Sequence, residues 1–334
     1  MSRLLIILSC FLFWACSQDG ILEDQVVIQP EIPFGFPNLP ESLENQLTEA
    51  RVQLGKRLFF EKLLSNNGSI SCASCHFQEL AFSDPSPTSF GIEGKIGFRN
   101  AQPLFNLGYK KHFFRDGGVN SLRLSSLNPI SNPNEMGSDI VSVIKRLKEN
   151  GSYINDFQLA YQDTISALSI LNALECFQKV LISGNSKFDQ WQRGVAELSP
   201  SEELGRNLFY SDRTHCSSCH GGFNFSNDDF KSNGLFETYA DSGRQRITTL
   251  ASDRGKFAIP SLRNISVTAP YMHDGSIETL EEVLSLYNQG GTSFENKDEL
   301  IQPLNLTEIE LAALRDFLIT LKDDSFLNNQ AFKQ

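Results

Sequence analysis

The chain has 334 residues, 40% hydrophobic and 21% charged, with a mean hydropathy of −0.24. Such a composition buries real cores and excludes both wholesale disorder and a polytopic membrane protein. Its 29 Lys plus Arg against 40 Asp plus Glu leave a formal charge of −11, which argues against general nucleic-acid binding. The length suits two domains of ordinary size. The 26 Phe fit either ordinary cores or the walls around a flat cofactor.

In chain order, Arg3 precedes a mostly apolar run over residues 4–15, too short for the roughly 20 residues that span a bilayer. Residues 1–15 therefore read as a secretory signal peptide. Ala15 before Cys16 resembles a bacterial lipoprotein cleavage site, which would place a lipid on Cys16; a plain signal cleavage nearby is the other reading. Residues 16–42 carry Pro30, Pro33, Pro37 and Pro40 without an apolar period and read as a tether. The expected location is the periplasm, with a lipid anchor as the chain's only hold on the membrane.

Export changes how the remaining cysteines are read. Four of the five stand as Cys72-Ala73-Ser74-Cys75-His76 and Cys216-Ser217-Ser218-Cys219-His220, two copies of the c-type haem attachment pattern. Two thiols three apart on one turn can add to both vinyl groups of a porphyrin, and the next histidine presents its imidazole to the iron. Two such pentads by accident are on the order of 10⁻⁶. A four-thiolate zinc site would require the pairs to meet and would leave both histidines idle. Disulfides across a two-residue loop would be strained and would also ignore the histidines. Cys176, alone in an apolar helical stretch, reads as a buried small hydrophobe.

An internal repeat surrounds the pentads. Leu54-Gly55-Lys56-Arg57-Leu58-Phe59-Phe60 precedes the first, and Leu204-Gly205-Arg206-Asn207-Leu208-Phe209-Tyr210 the second. Arg99-Asn100 and Phe114-Arg115-Asp116-Gly117 pair with Arg263-Asn264 and Met272-His273-Asp274-Gly275. Two homologous units follow. A long helix is predicted from Thr164 to Ile182, ending near Gly184. Capping boxes at Ser199–Glu202, Thr279–Glu282 and Thr307–Glu310 start three more. Leu311, Leu314, Phe317, Leu318 and Leu321 form one apolar stripe. No strand alternation is sustained, so the expected fold is mainly α, with two tandem cytochrome c-like haem domains and long haem-wrapping loops.

The pentads, with Arg99-Asn100-Ala101-Gln102-Pro103, Asn132-Pro133-Asn134-Glu135-Met136-Gly137, Pro260-Ser261-Leu262-Arg263-Asn264 and Ala269-Pro270-Tyr271-Met272-His273-Asp274-Gly275, resemble the di-haem bacterial cytochrome c peroxidase/MauG family. The resemblance covers about residues 45–325. It implies a peroxidatic N-terminal domain over 43–190, an electron-transfer domain over 191–325 and a short tail over 326–334. It further implies a first haem held by Cys72 and Cys75 with His76 as proximal ligand, and a second held by Cys216 and Cys219 with His220. The family's acid-base residue falls on Glu135; read from the sequence alone, Glu135 is also a first-turn charge for a helix starting near Ser138. An inter-domain calcium maps to Asn100, Thr268 and Pro270, the last two through backbone oxygens. Homodimers are common in the family.

Departures from the family pattern are as informative. Many members carry a histidine sixteen residues after the first proximal one, which closes that haem until the second is reduced; here Ile92 stands there, and a haem open to peroxide without prior reduction is expected. His112 reads as a loop or surface residue. Fourteen residues after His273, where many members have methionine, stands Tyr287, as in MauG-like members; it lies on the apolar stripe of its helix. A phenolate ligand lowers the haem potential where a thioether raises it, and Met272 is the competing ligand. His273 itself reads as a propionate or loop contact. Arg115 replaces the family's inter-haem tryptophan, leaving Trp191 as the mature chain's tryptophan, and Ser125 stands where glutamine is common. The leading expectation is a peroxidase that reduces hydrogen peroxide at the first haem, fed through the second by a small redox protein or quinol-linked donor. A MauG-like oxidase of a protein or organic substrate and a non-catalytic di-haem electron carrier are the alternatives.

Overall fold

The computed structural model describes residues 26–334; the expected signal peptide and the expected lipid site at Cys16 lie outside them. Seven helices of ten or more residues carry the described fold: α1 Glu49–Phe59, α2 Ile140–Glu149, α3 Gly151–Tyr161, α4 Ala167–Val180, α5 Pro200–Phe209, α6 Leu280–Gln289 and α7 Glu308–Ile319. Their ends are set by local chemistry. The three anticipated capping boxes form at Ser199, Thr279 and Thr307, each hydroxyl accepting from the N3 amide and each glutamate closing the box. In α1, Thr48 caps the start, and Lys56 and Arg57 face the carbonyl end of the helix dipole. The helix predicted over 164–182 is shorter: Ser166 caps it and Leu181 ends it. Gly184 lies beyond, where an added Cβ would meet Pro33 at 2.5 Å.

Two apolar cores result. The first gathers Leu58 and Phe59 of α1, Tyr153 and Phe157 of α3, and Ala173 and Phe177 of α4. The second gathers Leu208 and Phe209 of α5 with Leu314, Phe317 and Leu318 of α7 and Leu321 just beyond it, so the predicted stripe is buried, with Leu311 half-buried at its start. In each core the repeat glycine makes the helix crossing. A Cβ on Gly55 would sit 1.9 Å from the Ala173 oxygen, and one on Gly205 1.9 Å from the Ala313 oxygen. Backbone cannot yield there as a flexible side chain could. Gly205→Ala is accordingly expected to cost about 1–3 kcal/mol from overpacking, read as a lower denaturation midpoint; an unchanged midpoint would mean that α5 and α7 separate freely.

The structure revises several sequence expectations. The chain passes between cores between Leu181 and Phe188, because Phe188 already packs with Phe317, at the start of the 184–200 stretch where the junction is expected. The part of the 16–42 tether that is described lies on the protein: Val27 bridges to Thr48, and Phe36 packs on Phe223 with centroids 4.6 Å apart, under Arg263. Residues 326–334 are not a free tail, since Phe326, Leu327 and Phe332 enter the first core and Gln78 donates to the Phe326 and Asn329 carbonyls. A two-stranded antiparallel pair, β1 Phe230–Lys231 with β2 Phe257–Ala258, was not anticipated; two-residue strands show no period. The repeat also needs re-registering. Asn264 takes a left-handed conformation and donates to the Leu321 oxygen, as Asn106, not Asn100, does to Leu181. Phe114-Arg115-Asp116-Gly117 and Met272-His273-Asp274-Gly275 remain equivalent, each spanned by a bridge, Phe113 to Val119 and Tyr271 to Ile277.

Candidate functional site

Each pentad forms one tight turn. His76 N donates to the Cys72 oxygen at 3.1 Å and His220 N to the Cys216 oxygen at 2.8 Å, which draws thiols and imidazole together. Beyond each turn a phenylalanine in the left-handed region, Phe82 or Phe225, turns its carbonyl back to the histidine. His76 Nδ1 donates to the Phe82 oxygen at 2.6 Å; His220 Nδ1 lies 3.2 Å from both the Phe225 and Pro260 oxygens. A carbonyl accepts only, so Nδ1 carries the proton and Nε2 keeps its lone pair for a metal. Burial lowers both imidazole pKa values, that of His220 to about 4, which favours the neutral ring in each.

The four thiols are free of disulfides. Burial, with smaller contributions from Cys75 and Glu135, raises Cys72 to about 12, and burial raises Cys75 to about 11. These are neutral thiols, and no group of three or more His, Cys, Asp or Glu converges on a metal position among the described residues. The two pairs do not build a zinc centre. Their surroundings fit a porphyrin: Cys216, Cys219 and His220 line a cavity with Leu262, Leu284 and Leu314, whose empty volume is about 1600 Å³ including its mouth. A shallower cleft borders His76 between Phe60, Phe77, Phe82 and Leu327.

At the first site, Glu135 accepts from Asn132 Nδ2 at 2.6 Å. Burial raises its carboxyl pKa, only partly offset by that bond. Its charge acts on both Cys72 and Cys75, so the acid is within electrostatic reach of the attachment turn. Ile92 is buried and fastened to the same loop: its amide donates to the Glu135 oxygen at 2.8 Å. The fit leaves no slack. A Cβ on Gly91 would meet the Asn134 oxygen at 2.0 Å, and one on Gly137, at φ +57°, would meet Ile92 Cδ1 at 2.4 Å. His112 is half-buried against Phe230, away from this loop.

At the second site Tyr287 and Met272 both face the cavity. The Asn233 amide reaches both, 3.5 Å from Tyr287 Oη and 3.4 Å from Met272 Sδ. Burial raises the Tyr287 phenol pKa, against the Asn233 bond. His273 stacks on Phe257 at 3.9 Å, also on the cavity wall. Asn233, His215 and Arg115 line it too; no motif marks the first two as site residues. Trp191 packs in the second core on Phe188 and beneath Arg206, and Ser125 Oγ bonds to its own helix at Leu122.

Of the residues mapped to calcium, Asn100, Thr268 and Pro270, the first has both its oxygens engaged by Arg115. Asn100 Oδ1 accepts from Arg115 Nη2 at 2.6 Å and the Asn100 carbonyl from Arg115 Nε at 3.3 Å. Calcium takes six to eight oxygens, and here a guanidinium already holds those of Asn100.

Paired thiols and a neutral, carbonyl-oriented imidazole on one turn, present once in each of two helical units, define a di-haem c-type cytochrome. A family model described as di-haem cytochrome c peroxidase matches residues 49–197. The chain is 34% identical to the methylamine utilization protein MauG of Methylorubrum extorquens over 295 residues, 85% of this chain and 82% of that one. It is also 34% identical to the cytochrome c551 peroxidase of Nitrosomonas europaea, over 74% of this chain and 76% of that one. A crystal structure of a MauG-like protein associated with microbial copper homeostasis superposes with a TM-score of 0.87 at 33% identity, covering 90% of this chain and 97% of that one. The chain belongs to the di-haem cytochrome c peroxidase/MauG family, whose members carry two c-type haems. No helix among the described residues is long and apolar enough to cross a membrane.

Proposed function

We propose that this protein is a periplasmic peroxidase that reduces hydrogen peroxide at the first haem, with Glu135 as its acid-base residue. The observation that carries the reading is a half-buried carboxyl of raised pKa within electrostatic reach of the first attachment turn, with a buried aliphatic side chain where a closing histidine would stand. The haem, when bound, supplies the metal and the electrons that divide the peroxide bond. Glu135 takes a proton from one peroxide oxygen and returns it to the other, which then leaves as water. Asn132 holds the carboxylate in one rotamer through its 2.6 Å bond. Ile92, pinned by Gly91 and Gly137, keeps the protein from contributing a nitrogen on that side. Electrons arrive through the second haem from a small redox protein or quinol-linked donor, and the chain is held at the membrane by a lipid on Cys16. A homodimer is part of this reading.

The thiols Cys72, Cys75, Cys216 and Cys219 would attach the haems, with His76 and His220 as proximal ligands. For the second haem we assign Tyr287 as the further ligand, because it rises from a regular helix into the cavity while Asn233 steadies its oxygen. Tyr287→Phe is expected to abolish a tyrosinate band in resonance Raman spectra of the oxidised protein and raise the second haem's potential. If instead Met272→Leu produces the spectral change and Tyr287→Phe does not, the thioether is the ligand. The MauG-like alternative, oxidation of a protein or organic substrate, draws on the same tyrosine. Steady-state peroxide consumption with a reduced donor separates them: a peroxidase turns over with donor alone, an oxidase requires its organic substrate, and a carrier does neither.

A further inference from the structure

Arg115 is a charged side chain that neither haem attachment nor proton transfer at Glu135 uses. Among the described residues it forms no ion pair, and two nearby carboxylates are taken by other arginines. Asp116 is held by Arg99 at 2.7 Å and by Arg246, and Asp241 is held by Arg99 at 2.6 Å. Among the described residues its hydrogen-bond acceptors are neutral, both on Asn100. Burial and the nearby Arg99 charge lower its pKa to about 10, with Asp274 opposing, so it stays charged at neutral pH. A guanidinium has five N–H groups. Its Nε and Nη2 face Asn100, no hydrogen bond from Nη1 to the protein is seen among the described residues, and the residue belongs to the wall of the second cavity. A recessed cation with an idle donor edge calls for an anion.

The backbone places this edge firmly. The Arg115 carbonyl accepts from the Ala258 amide at 2.7 Å. Two residues on, the Pro260 oxygen lies 3.2 Å from Nδ1 of His220. One short stretch of chain thus ties Arg115, contributed by the first half, to the proximal histidine of the second. Asn100 is tied to the same wall, its amide donating to the His273 oxygen at 2.9 Å.

We propose that Arg115 is the resident cation of the inter-domain junction, holding Asn100 where a calcium ion would otherwise sit and presenting Nη1 to a carboxylate of the haem in the second cavity. The proposal rests on a haem occupying that cavity, which follows from family membership, and is independent of peroxide turnover. It makes Arg115 a positioning residue.

The test uses the holo-protein with both haems attached, dialysed against calcium and then against calcium-free buffer. Elemental analysis is expected to find far less than one calcium per chain, and a chelator to leave the denaturation midpoint and second-haem spectrum unchanged. In Arg115→Met, loss of the buried charge is expected to shift the second haem's ferric/ferrous equilibrium about tenfold toward ferric, 59 mV for one electron. Arg115→Lys should restore most of it. One retained calcium per chain whose removal lowers the midpoint would overturn the proposal, as would a folded Arg115→Met with the wild-type potential. Should Arg115→Met fail to take up both haems, the calcium content of the wild-type protein and the potential of Arg115→Lys still decide.

Discussion

Replacing Glu135 by glutamine is expected to lower kcat for peroxide reduction by about 10²–10⁴, the usual contribution of a positioned acid-base group. The replacement isolates the proton. Glutamine keeps the length of the side chain and an oxygen for Asn132, so the 132–137 loop and its hold on Ile92 should persist. Haem content and the resting spectrum should therefore match the parent. The pH profile supplies a second signature. Burial raises the Glu135 pKa, and its working form as a base is the deprotonated one, so parent activity should fall as pH drops through that raised value. In Glu135→Gln the acid limb should disappear with the rate. Unaltered turnover in a fully loaded variant would instead support electron carriage without catalysis at this site.

The largest single loss of stability is expected at Asp189. Arg263 grips it with two bonds of 2.8 and 2.9 Å, and both side chains are 2% exposed. The same guanidinium donates to the Phe223 oxygen and lies over Phe36 and Phe225. It fastens the stretch before α5, the second attachment loop and the N-terminal segment into one joint. Removing one member of a buried pair strands the other, typically at about 3–5 kcal/mol. Asp189→Ala should show that cost in denaturant titration of the holo-protein, whereas the joint replacement of Asp189 and Arg263 by apolar residues should recover much of it. Burial by itself would raise the Asp189 pKa, but the Arg263 bonds more than reverse this and hold it below the ordinary carboxylate range. The pair's pH-dependent stability is therefore complete above the unfolded value of about 3.9 and is lost as pH falls through the lower folded value. In Asp189→Ala that dependence on acid should vanish; a loss of less than about 1 kcal/mol would place the pair among screened surface contacts.

The parts of this molecule legible in the sequence are those whose chemistry is local. Haem attachment needs two thiols and a histidine within five residues, and a capping box needs a hydroxyl and a glutamate three apart. The apolar stripe of α7 follows the helical period in the same way. What escaped depends on residues far apart in the chain. Arg115 reads as a missing tryptophan until the fold brings its guanidinium onto Asn100. Phe326 and Phe332 read as a tail because their first-core partners, Phe82 among them, lie some 250 positions earlier. The confusion of Asn100 with Asn106 has a related origin: a side-chain amide beside an arginine matches by letter, whereas the true equivalence rests on backbone conformation.

The decisive measurement is addition of one equivalent of hydrogen peroxide to the fully oxidised holo-protein, with no reductant present, followed by optical and EPR spectroscopy. The account predicts a high-spin first haem at rest whose spectrum changes promptly on mixing. Two low-spin haems that ignore peroxide until electrons are supplied would contradict it.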